Sequence, residues 1–202
     1  MLAAPAAVAE PVTIAALGDS LTQGFGLAPE AGFVPQLERW LDEQGADVTV
    51  INAGVSGDTT AGGLARVAWT LTPEVDAMIV ALGGNDLLRG IDPAASRANL
   101  DGILAAAAEA NVEVLLVGIE APSNYGADYK AAFDGMFPDL AEAYDVLLYP
   151  SFLAPLTETR DLQAALSEVM QADGIHPNAA GVVEIVEGIG PSVLALVQAA
   201  AE

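Results

Sequence analysis

Residues 12–21 read Val-Thr-Ile-Ala-Ala-Leu-Gly-Asp-Ser-Leu, an apolar run that ends abruptly in polar residues. The run Val12–Leu17 is short and contains β-branched residues, which is typical of a buried β-strand. Four similar runs follow along the chain, and longer segments with helical spacing of apolar residues separate them. This alternation predicts an α/β fold, in which helices cover both faces of a parallel sheet.

The strand and helix pattern covers almost the whole chain. We predict strands at Val12–Leu17, Val48–Asn52, Ala77–Leu82, Val112–Ile119 and Val146–Leu148. We predict helices at Gly32–Gln44, Thr60–Leu71, Pro93–Ala110, Tyr125–Ala143 and Pro177–Ala200. The segment Leu153–Ala172 is less regular, and a short helix mixed with loop is expected there. Because no repeat or linker interrupts the pattern, residues 10–202 are predicted to form a single domain.

The charge of the chain limits its partners. Among 202 residues there are 28 acidic and six basic side chains, and the formal net charge is -22. Such a charge repels phosphate backbones and anionic lipid head groups, so neither nucleic acid nor an anionic membrane is an expected partner. The sequence contains no run of about 18 apolar residues, so stable insertion into a membrane is not expected either.

Cysteine and histidine usage excludes several kinds of site. The sequence has no cysteine and a single histidine, His176. Disulfides, thiolate nucleophiles and cysteine-based metal sites are therefore excluded, and so is a metal site built from several histidines of one chain. We expect no metal and no cofactor.

The first nine residues are small and apolar, and Ala7-Val8-Ala9 matches the Ala-x-Ala pattern of a signal-peptide cleavage site. We interpret residues 1–9 as the remnant of a signal peptide, and the alternative is a plain disordered tail. The first interpretation predicts a periplasmic or secreted protein, whereas the second leaves a cytoplasmic location open.

Polar or glycine-rich loops follow the first three predicted strands and precede the last helix. They are Gly18–Leu21, Asn52–Asp58, Gly83–Asp86 and Asp173–Pro177. In open α/β sheets, ligands bind at the carboxyl ends of the strands, where such loops meet. We therefore expect these four loops to form the functional site.

These loops contain the groups that a serine nucleophile requires, namely a base and a residue that orients the base. Ser20 is the candidate nucleophile, and His176 is the one imidazole available as its base. Asp173 lies three residues before His176, and Gly174 permits the tight turn that lets a carboxylate reach the imidazole. The alternatives are a helix-capping role for Ser20 or for Asp173.

A tetrahedral oxyanion also needs hydrogen-bond donors, each worth about 3 kcal/mol of barrier lowering. The backbone N–H groups of Ser20 and Gly57 and the side-chain amide of Asn85 are the candidates. The alternatives are a backbone hinge at Gly57 and a turn residue at Asn85. Bracing or capping roles are expected for the nearby acidic residues, which are Asp19, Asp58 and Asp86.

The ordered blocks Gly-Asp-Ser-Leu, Gly, Gly-x-Asn-Asp and Asp-x-x-His-Pro resemble those of the GDSL or SGNH hydrolases. Residues 52–66, 81–90 and 121–133 further resemble the bacterial group of thioesterase I, lysophospholipase and arylesterase. The resemblance implies Ser20, Asp173 and His176 as a catalytic triad, with Ser20, Gly57 and Asn85 as the oxyanion hole. It also implies a flavodoxin-like α/β/α sandwich with sheet order 2-1-3-4-5.

Apolar residues after the catalytic loops are candidates for the lining of an acyl pocket, with ordinary loop packing as the alternative. They are Phe25, Leu27, Leu87, Leu88 and Ile91. Ala121 is a further candidate, because relatives of this group often carry a bulkier residue at the matching position. If that position lines the acyl channel, their preference for acyl-chain length does not carry over to this chain.

The expected function is that of a serine ester hydrolase acting on small aryl esters, acyl esters or thioesters. Because the chain is strongly acidic, we rank neutral esters above anionic CoA thioesters. A base in acidic surroundings also predicts an activity optimum on the alkaline side of neutral. One alternative is a carbohydrate acetyl esterase of the same superfamily. A flavodoxin-like cofactor-binding protein is more remote, since Asp19 is a poor neighbour for a phosphate.

Overall fold

The computed structural model describes residues 11–158 and 160–201, so the predicted signal-peptide remnant at residues 1–9 lies outside the described residues. The strands are β1 (Val12–Gly18), β2 (Val48–Gly54), β3 (Ala77–Ala81), β4 (Glu113–Val117) and β5 (Leu147–Tyr149). They form a five-stranded parallel sheet in the order β2-β1-β3-β4-β5, which confirms the predicted order. Gly18 is in register with Gly54 and Ala81, so three strands end at one level.

Helices separate the strands as predicted. They are α1 (Ser20–Gln23), α2 (Phe33–Glu43), α3 (Thr60–Thr70), α4 (Gly84–Leu88), α5 (Pro93–Ala110), α6 (Ala127–Tyr144), α7 (Pro155–Glu158), α8 (Leu162–Glu168) and α9 (Ala179–Ala200). The five long helices expected from the sequence are present, and their ends differ from the expected ones by a residue or two. The short helices α1 and α4 were not among the predicted helices, since a helix of about one turn shows no apolar period.

The sheet divides the core into two apolar clusters. Along β1, Ile14 and Ala16 point to one face, where they pack with α2 and α9, whereas Ala15 and Leu17 point to the other. The second face is covered by α3, α5 and α6. Because both faces of β1 are buried, its sequence is a continuous apolar run instead of an alternating one.

Within the described residues, α9 is the one helix with the length and hydropathy of a membrane span. Its apolar face is part of the core, however, where Ile185, Ile189 and Val193 are fully buried against the sheet and α2. A core helix of a globular protein passes the same test of length and composition. The hydropathy of α9 is therefore explained by packing.

Candidate active site

The loop after β1 places the candidate nucleophile. Helix α1 begins at Ser20, and its N-cap is Asp19, whose Oδ1 accepts the N–H of Leu21 at 2.9 Å. Ser20 is therefore not the capping residue, and its hydroxyl is free for another partner. Ser20 is almost buried, at 9% exposure of the residue, yet it lies on the wall of an open cavity.

Ser20, His176 and Asp173 form a continuous chain of hydrogen bonds. The Oγ of Ser20 lies 2.8 Å from Nε2 of His176, and Nδ1 of the same ring lies 2.7 Å from Oδ2 of Asp173. The structure thus brings together the three residues expected to form the triad, although Ser20 and His176 are 156 positions apart. With a proton on Nδ1, Nε2 can accept the hydroxyl proton of the serine.

The second oxygen of Asp173 shapes the turn that carries His176. It accepts the backbone N–H groups of Ile175, at 2.9 Å, and of His176, at 3.0 Å. The bond to the imidazole, the backbone bonds and the nearby imidazole charge lower the pKa of Asp173 from 3.8 to about 2. Asp173 does not cap the last helix, because the N-cap of α9 is Asn178.

Gly57 and Asn85 lie on the wall of the same cavity as Ser20. Gly57 has a φ of +83°, a left-handed conformation that side chains other than glycine adopt at a cost, and its carbonyl accepts a 2.7 Å bond from Arg89. Asn85 lies in α4 and is not a left-handed turn residue. The cavity thus gathers the three expected oxyanion donors.

Asp19 fixes the direction of the Asn85 amide. Nδ2 of Asn85 donates to Oδ2 of Asp19 over 3.1 Å, which leaves the second N–H of the amide for another acceptor. Asp19 is 3% exposed, and burial raises its pKa, against the opposing effect of the bonds from Leu21 and Asn85. The acidic side chain beside Ser20 therefore braces the site, as the sequence predicted.

Asp58 acts through Arg66 on α3, which joins the ends of β1 and β2. Nε of Arg66 lies 2.7 Å from Oδ2 of Asp58, while its Nη1 and Nη2 donate to the carbonyls of Ala53, at 2.8 Å, and Gly18, at 2.9 Å. Ala53 is the next-to-last residue of β2, and Gly18 is the last residue of β1. One guanidinium group thus joins the strand ends that precede Gly57 and Ser20.

Asp86 is the third acidic residue with a structural role. It is fully buried, and its carboxylate accepts the N–H of Thr60 at 2.8 Å and the hydroxyls of Thr60 at 2.6 Å and Ser96 at 2.9 Å. The residue after Asn85 is therefore anchored to α3 and α5, so α4 is held on two sides.

A cavity of about 490 Å³ opens beside Ser20 and His176. Leu87 and Leu88 line it as expected, and so does Phe25. Ala121 does not line the cavity, because it is buried in the core, where its N–H donates to Asp134. Leu27 packs against the core instead. A further part of the wall, which we call the acyl wall, consists of Leu153, Leu156, Leu162, Leu166 and Met170.

The acyl wall was missed in the sequence, where its segment was expected to be a mixture of helix and loop. A signal was present, because Leu162, Ala165, Leu166 and Val169 follow the i, i+3, i+4, i+7 spacing of an amphipathic helix. No group of three or more potential metal ligands occurs among residues 11–158 and 160–201.

Comparison with known proteins agrees with this geometry. A profile of the GDSL-like Lipase/Acylhydrolase family matches residues 16–182. Esterase TesA of Pseudomonas aeruginosa is 38% identical over 182 residues, covering 90% of this chain and 87% of that protein. Thioesterase 1/protease 1/lysophospholipase L1 of Escherichia coli is 38% identical over 167 residues, covering 82% and 76%.

Solved structures show the same similarity. The crystal structure of TesA has a TM-score of 0.82 at 37% identity and covers 91% of this chain and 99% of that one. AlinE4, an SGNH-hydrolase family esterase, has a TM-score of 0.75 at 43% identity and covers 93% and 97%. This chain therefore belongs to the GDSL-like lipase and acylhydrolase family, the SGNH hydrolases, and is a serine ester hydrolase.

Proposed function

We propose that Ser20 is the nucleophile of a two-step ester hydrolysis, with His176 as its general base. Nε2 of His176 takes the Oγ proton while Oγ attacks the acyl carbonyl, and the imidazolium then protonates the leaving alcohol or thiol. Water attacks the acyl-enzyme in the same way, which releases the acid and restores Ser20. Asp173 holds the imidazole in the tautomer that leaves Nε2 free.

The negative charge that develops on the carbonyl oxygen is stabilised by three donors in this proposal. They are the backbone N–H groups of Ser20 and Gly57 and the free side-chain N–H of Asn85. Each donor contributes about 3 kcal/mol of transition-state stabilisation in related acyl-transfer sites. Because Arg66, Asp19 and Asp86 hold the loops that bear these donors, the donors are oriented before substrate binds.

The observation that carries the proposal is the 2.8 Å contact between Oγ of Ser20 and Nε2 of His176 at the mouth of an apolar cavity. Ser20→Ala should give a folded protein whose kcat/KM on a small aryl ester is lower by about 10³-fold or more. The exposed Ser167→Ala on α8 is the matched control and should keep normal activity. Hydrolysis near the normal rate by Ser20→Ala would contradict the proposal.

The cavity wall supports neutral esters with an apolar acyl group as substrates. Leucine side chains dominate the wall, and its charged residues within the described part of the chain are carboxylates, Asp19 and Glu120. A substrate that carries phosphates, such as an acyl-CoA, would meet these carboxylates and the overall charge of -22. An aryl or short-to-medium acyl ester meets neither obstacle.

A panel of p-nitrophenyl esters, acyl-CoA thioesters and acetylated sugars separates the candidate substrates. The highest kcat/KM is expected on neutral esters of medium acyl length, with Ser20→Ala as the blank. A preference for acetylated sugars with no response to acyl length would favour the carbohydrate acetyl esterase instead. If CoA thioesters react faster than the neutral esters at low salt, the argument from charge is wrong.

We also propose that the chain works in the periplasm or outside the cell. The support is the Ala7-Val8-Ala9 pattern, because signal peptidases cleave after small residues of this kind. Mass spectrometry of the protein from a periplasmic fraction should find an N-terminus at Glu10. A cytoplasmic protein that retains residues 1–9 would contradict the proposal.

A further inference from the structure

The nucleophile and its base lie on loops from opposite ends of the chain. Ser20 follows β1, whereas His176 lies in the turn before α9, yet their reacting atoms are 2.8 Å apart. Misplacement of a reacting group by about 1 Å can lower the rate about 10²-fold. The two loops therefore need a contact that sets their separation, and Ser20 and His176 supply one short bond between them.

Gln171 supplies a second connection. Its side-chain Nε2 donates to the carbonyl of Phe25 at 2.8 Å, across 146 positions of sequence, and to the carbonyl of Pro177 at 3.0 Å. A carboxamide nitrogen carries two N–H groups, so both are used. One end of the bridge lies just after α1, which bears Ser20, and the other lies on the residue next to His176.

The backbone of Gln171 holds the same turn. Its N–H donates to the carbonyl of His176 at 2.8 Å, and its carbonyl accepts the N–H of Gly174 at 3.0 Å. Through its backbone and its side chain together, Gln171 contacts the histidine turn at Gly174, His176 and Pro177. No other position in the turn is linked to the loop that follows Ser20 by the hydrogen bonds of the described residues.

The opposite loop is shaped to receive this side chain. Gly26 has a φ of +76°, and a Cβ at this position would collide with Oε1 of Gln171. The preceding residue, Phe25, places its ring against the imidazole of His176, with ring centroids 4.7 Å apart. The carboxamide therefore lies against a bare stretch of backbone, and the bond to the Phe25 carbonyl seats that ring beside His176.

We propose that Gln171 is a positioning residue, which holds the His176 turn at the distance that lets Nε2 reach Oγ of Ser20. The proposal rests on the proposed roles of Ser20 and His176. The segment around Gln171 has other anchors, because Nδ2 of Asn178 donates to the carbonyls of Glu168 and Met170. Removing the carboxamide should therefore loosen the turn without unfolding the chain.

The test uses Gln171→Met, which keeps the length of the side chain and removes both donors. We expect kcat/KM to fall about 10- to 100-fold on a small aryl ester, while KM changes less than about twofold. In Gln171→Glu a carboxylate faces the two carbonyls, so kcat/KM should fall further than in Gln171→Met. Gln198→Met, an exposed position at the end of α9, is the matched control and should behave like the unaltered protein.

A spectroscopic readout reports on position directly. His176 is the single histidine of the chain, so its ring protons are unambiguous in an NMR spectrum, and the Phe25 ring gives them a short-range NOE. This NOE should weaken in Gln171→Met and persist in Gln198→Met. Because the NOE does not depend on hydrolysis, it tests the positioning role of Gln171 separately. The test remains valid even if Ser20→Ala keeps its activity and the proposed function fails.

Three outcomes would overturn the positioning role. One is a kcat/KM of Gln171→Met within twofold of the unaltered protein. Another is a lower kcat/KM with an unchanged NOE, since the carboxamide would then act elsewhere. The third is loss of the folded state in both Gln171 variants, as measured by thermal melting. This outcome would show that Gln171 stabilises the fold instead of positioning His176.

Discussion

The two halves of the active site are held in different ways. The half that bears Asp173 and His176 is a turn near the surface, where the side chain of Asp173 is 36% exposed. The half that bears the candidate oxyanion donors is anchored by two almost fully buried carboxyl groups, those of Asp19 and Asp86. Both halves use carboxyl groups as hydrogen-bond acceptors, but these groups differ in their exposure to solvent.

This difference separates effects on activity from effects on stability. When a buried carboxylate loses its partners, or when its removal leaves those partners unpaired, the free energy of unfolding falls because desolvated polar groups lack hydrogen bonds. Near the surface, water replaces a lost hydrogen bond, so the free energy of unfolding changes little. The positions of the reacting atoms can still change. Substitutions in the histidine turn should therefore lower activity alone, whereas substitutions around the oxyanion donors should also lower the free energy of unfolding.

The largest effect is expected from Asp173→Asn. The asparagine oxygen can still accept the N–H groups of Ile175 and His176, but it no longer holds the imidazole as a carboxylate does. We expect kcat to fall about 10³-fold, while the free energy of unfolding changes by less than about 0.5 kcal/mol. Steady-state kinetics and urea unfolding measure the two quantities.

Asp139→Asn, an exposed position on α6, is the control for Asp173→Asn and should change neither quantity. A large loss of stability in Asp173→Asn would show that the histidine turn is as tightly coupled to the fold as the oxyanion half, and the distinction between the halves would fail.

Asp86→Ala should have the largest effect on stability. It leaves the N–H and hydroxyl of Thr60 and the hydroxyl of Ser96 without their acceptor in a fully buried place. We expect the free energy of unfolding to fall by about 3 kcal/mol, measured by urea denaturation. Asp139→Ala is the control, and a loss below about 1 kcal/mol in Asp86→Ala would break the comparison.

A smaller effect is expected from Asp19→Asn. Leu21 and Asn85 donate to different oxygens of Asp19, and asparagine has an oxygen at only one of the two places, so one of these bonds is lost. With Asn85 less well oriented, kcat/KM should fall about tenfold, which is less than the loss of a whole oxyanion donor. An unchanged kcat/KM would mean that the Asn85 amide is oriented without Asp19.

The same variant has a pH signature. Burial raises the pKa of Asp19 in the folded protein, so the folded state binds its proton more tightly than the unfolded state does. Stability from this residue is present at acid pH and is lost as pH rises through the folded pKa. The urea midpoint of Asp19→Asn should therefore rise relative to that of the unaltered protein as pH rises from 4 to 7.

Asp173 should show the opposite, and smallest, pH effect. Its folded pKa of about 2 lies below the ordinary 3.8, so its contribution is present above about pH 4 and is lost as pH falls toward 2. Solvent screens so exposed a group, so the change is small. Urea midpoints of the unaltered protein and Asp173→Asn should converge between pH 4 and 2, and a constant difference would contradict this.

The fold was predictable because its signals are local. Strand β1 is almost entirely apolar, and α5 begins at Pro93 as predicted, after an Asp92 N-cap. Helices α1 and α4 were not predictable from periodicity, since each spans about one turn and depends on contacts made elsewhere. For α4, the decisive contacts run from Asp86 to α3 and α5.

The proximity of Ser20, His176 and Asp173 was also predictable, because the sequence has one histidine and an aspartate three residues before it. The contacts that hold these three residues in place were not predictable. The bond from Gln171 to Phe25 joins residues 146 positions apart, and the bonds from Arg66 to Gly18 and Ala53 depend on how three elements pack. No local pattern in the sequence marks such long-range partners.

The acyl wall has a consequence for how this chain can be redesigned. Its five residues lie within residues 153–170, whereas Ser20, Gly57 and Asn85 follow β1, β2 and β3, and Asp173 and His176 lie in the turn before α9. A mutant library confined to the four leucines of this wall should alter the shape of the cavity without replacing a candidate proton-transfer residue, whereas Met170 pairs with Pro177 beside His176. We therefore expect substrate selectivity to be adjustable at these leucines with little change in the candidate reacting groups.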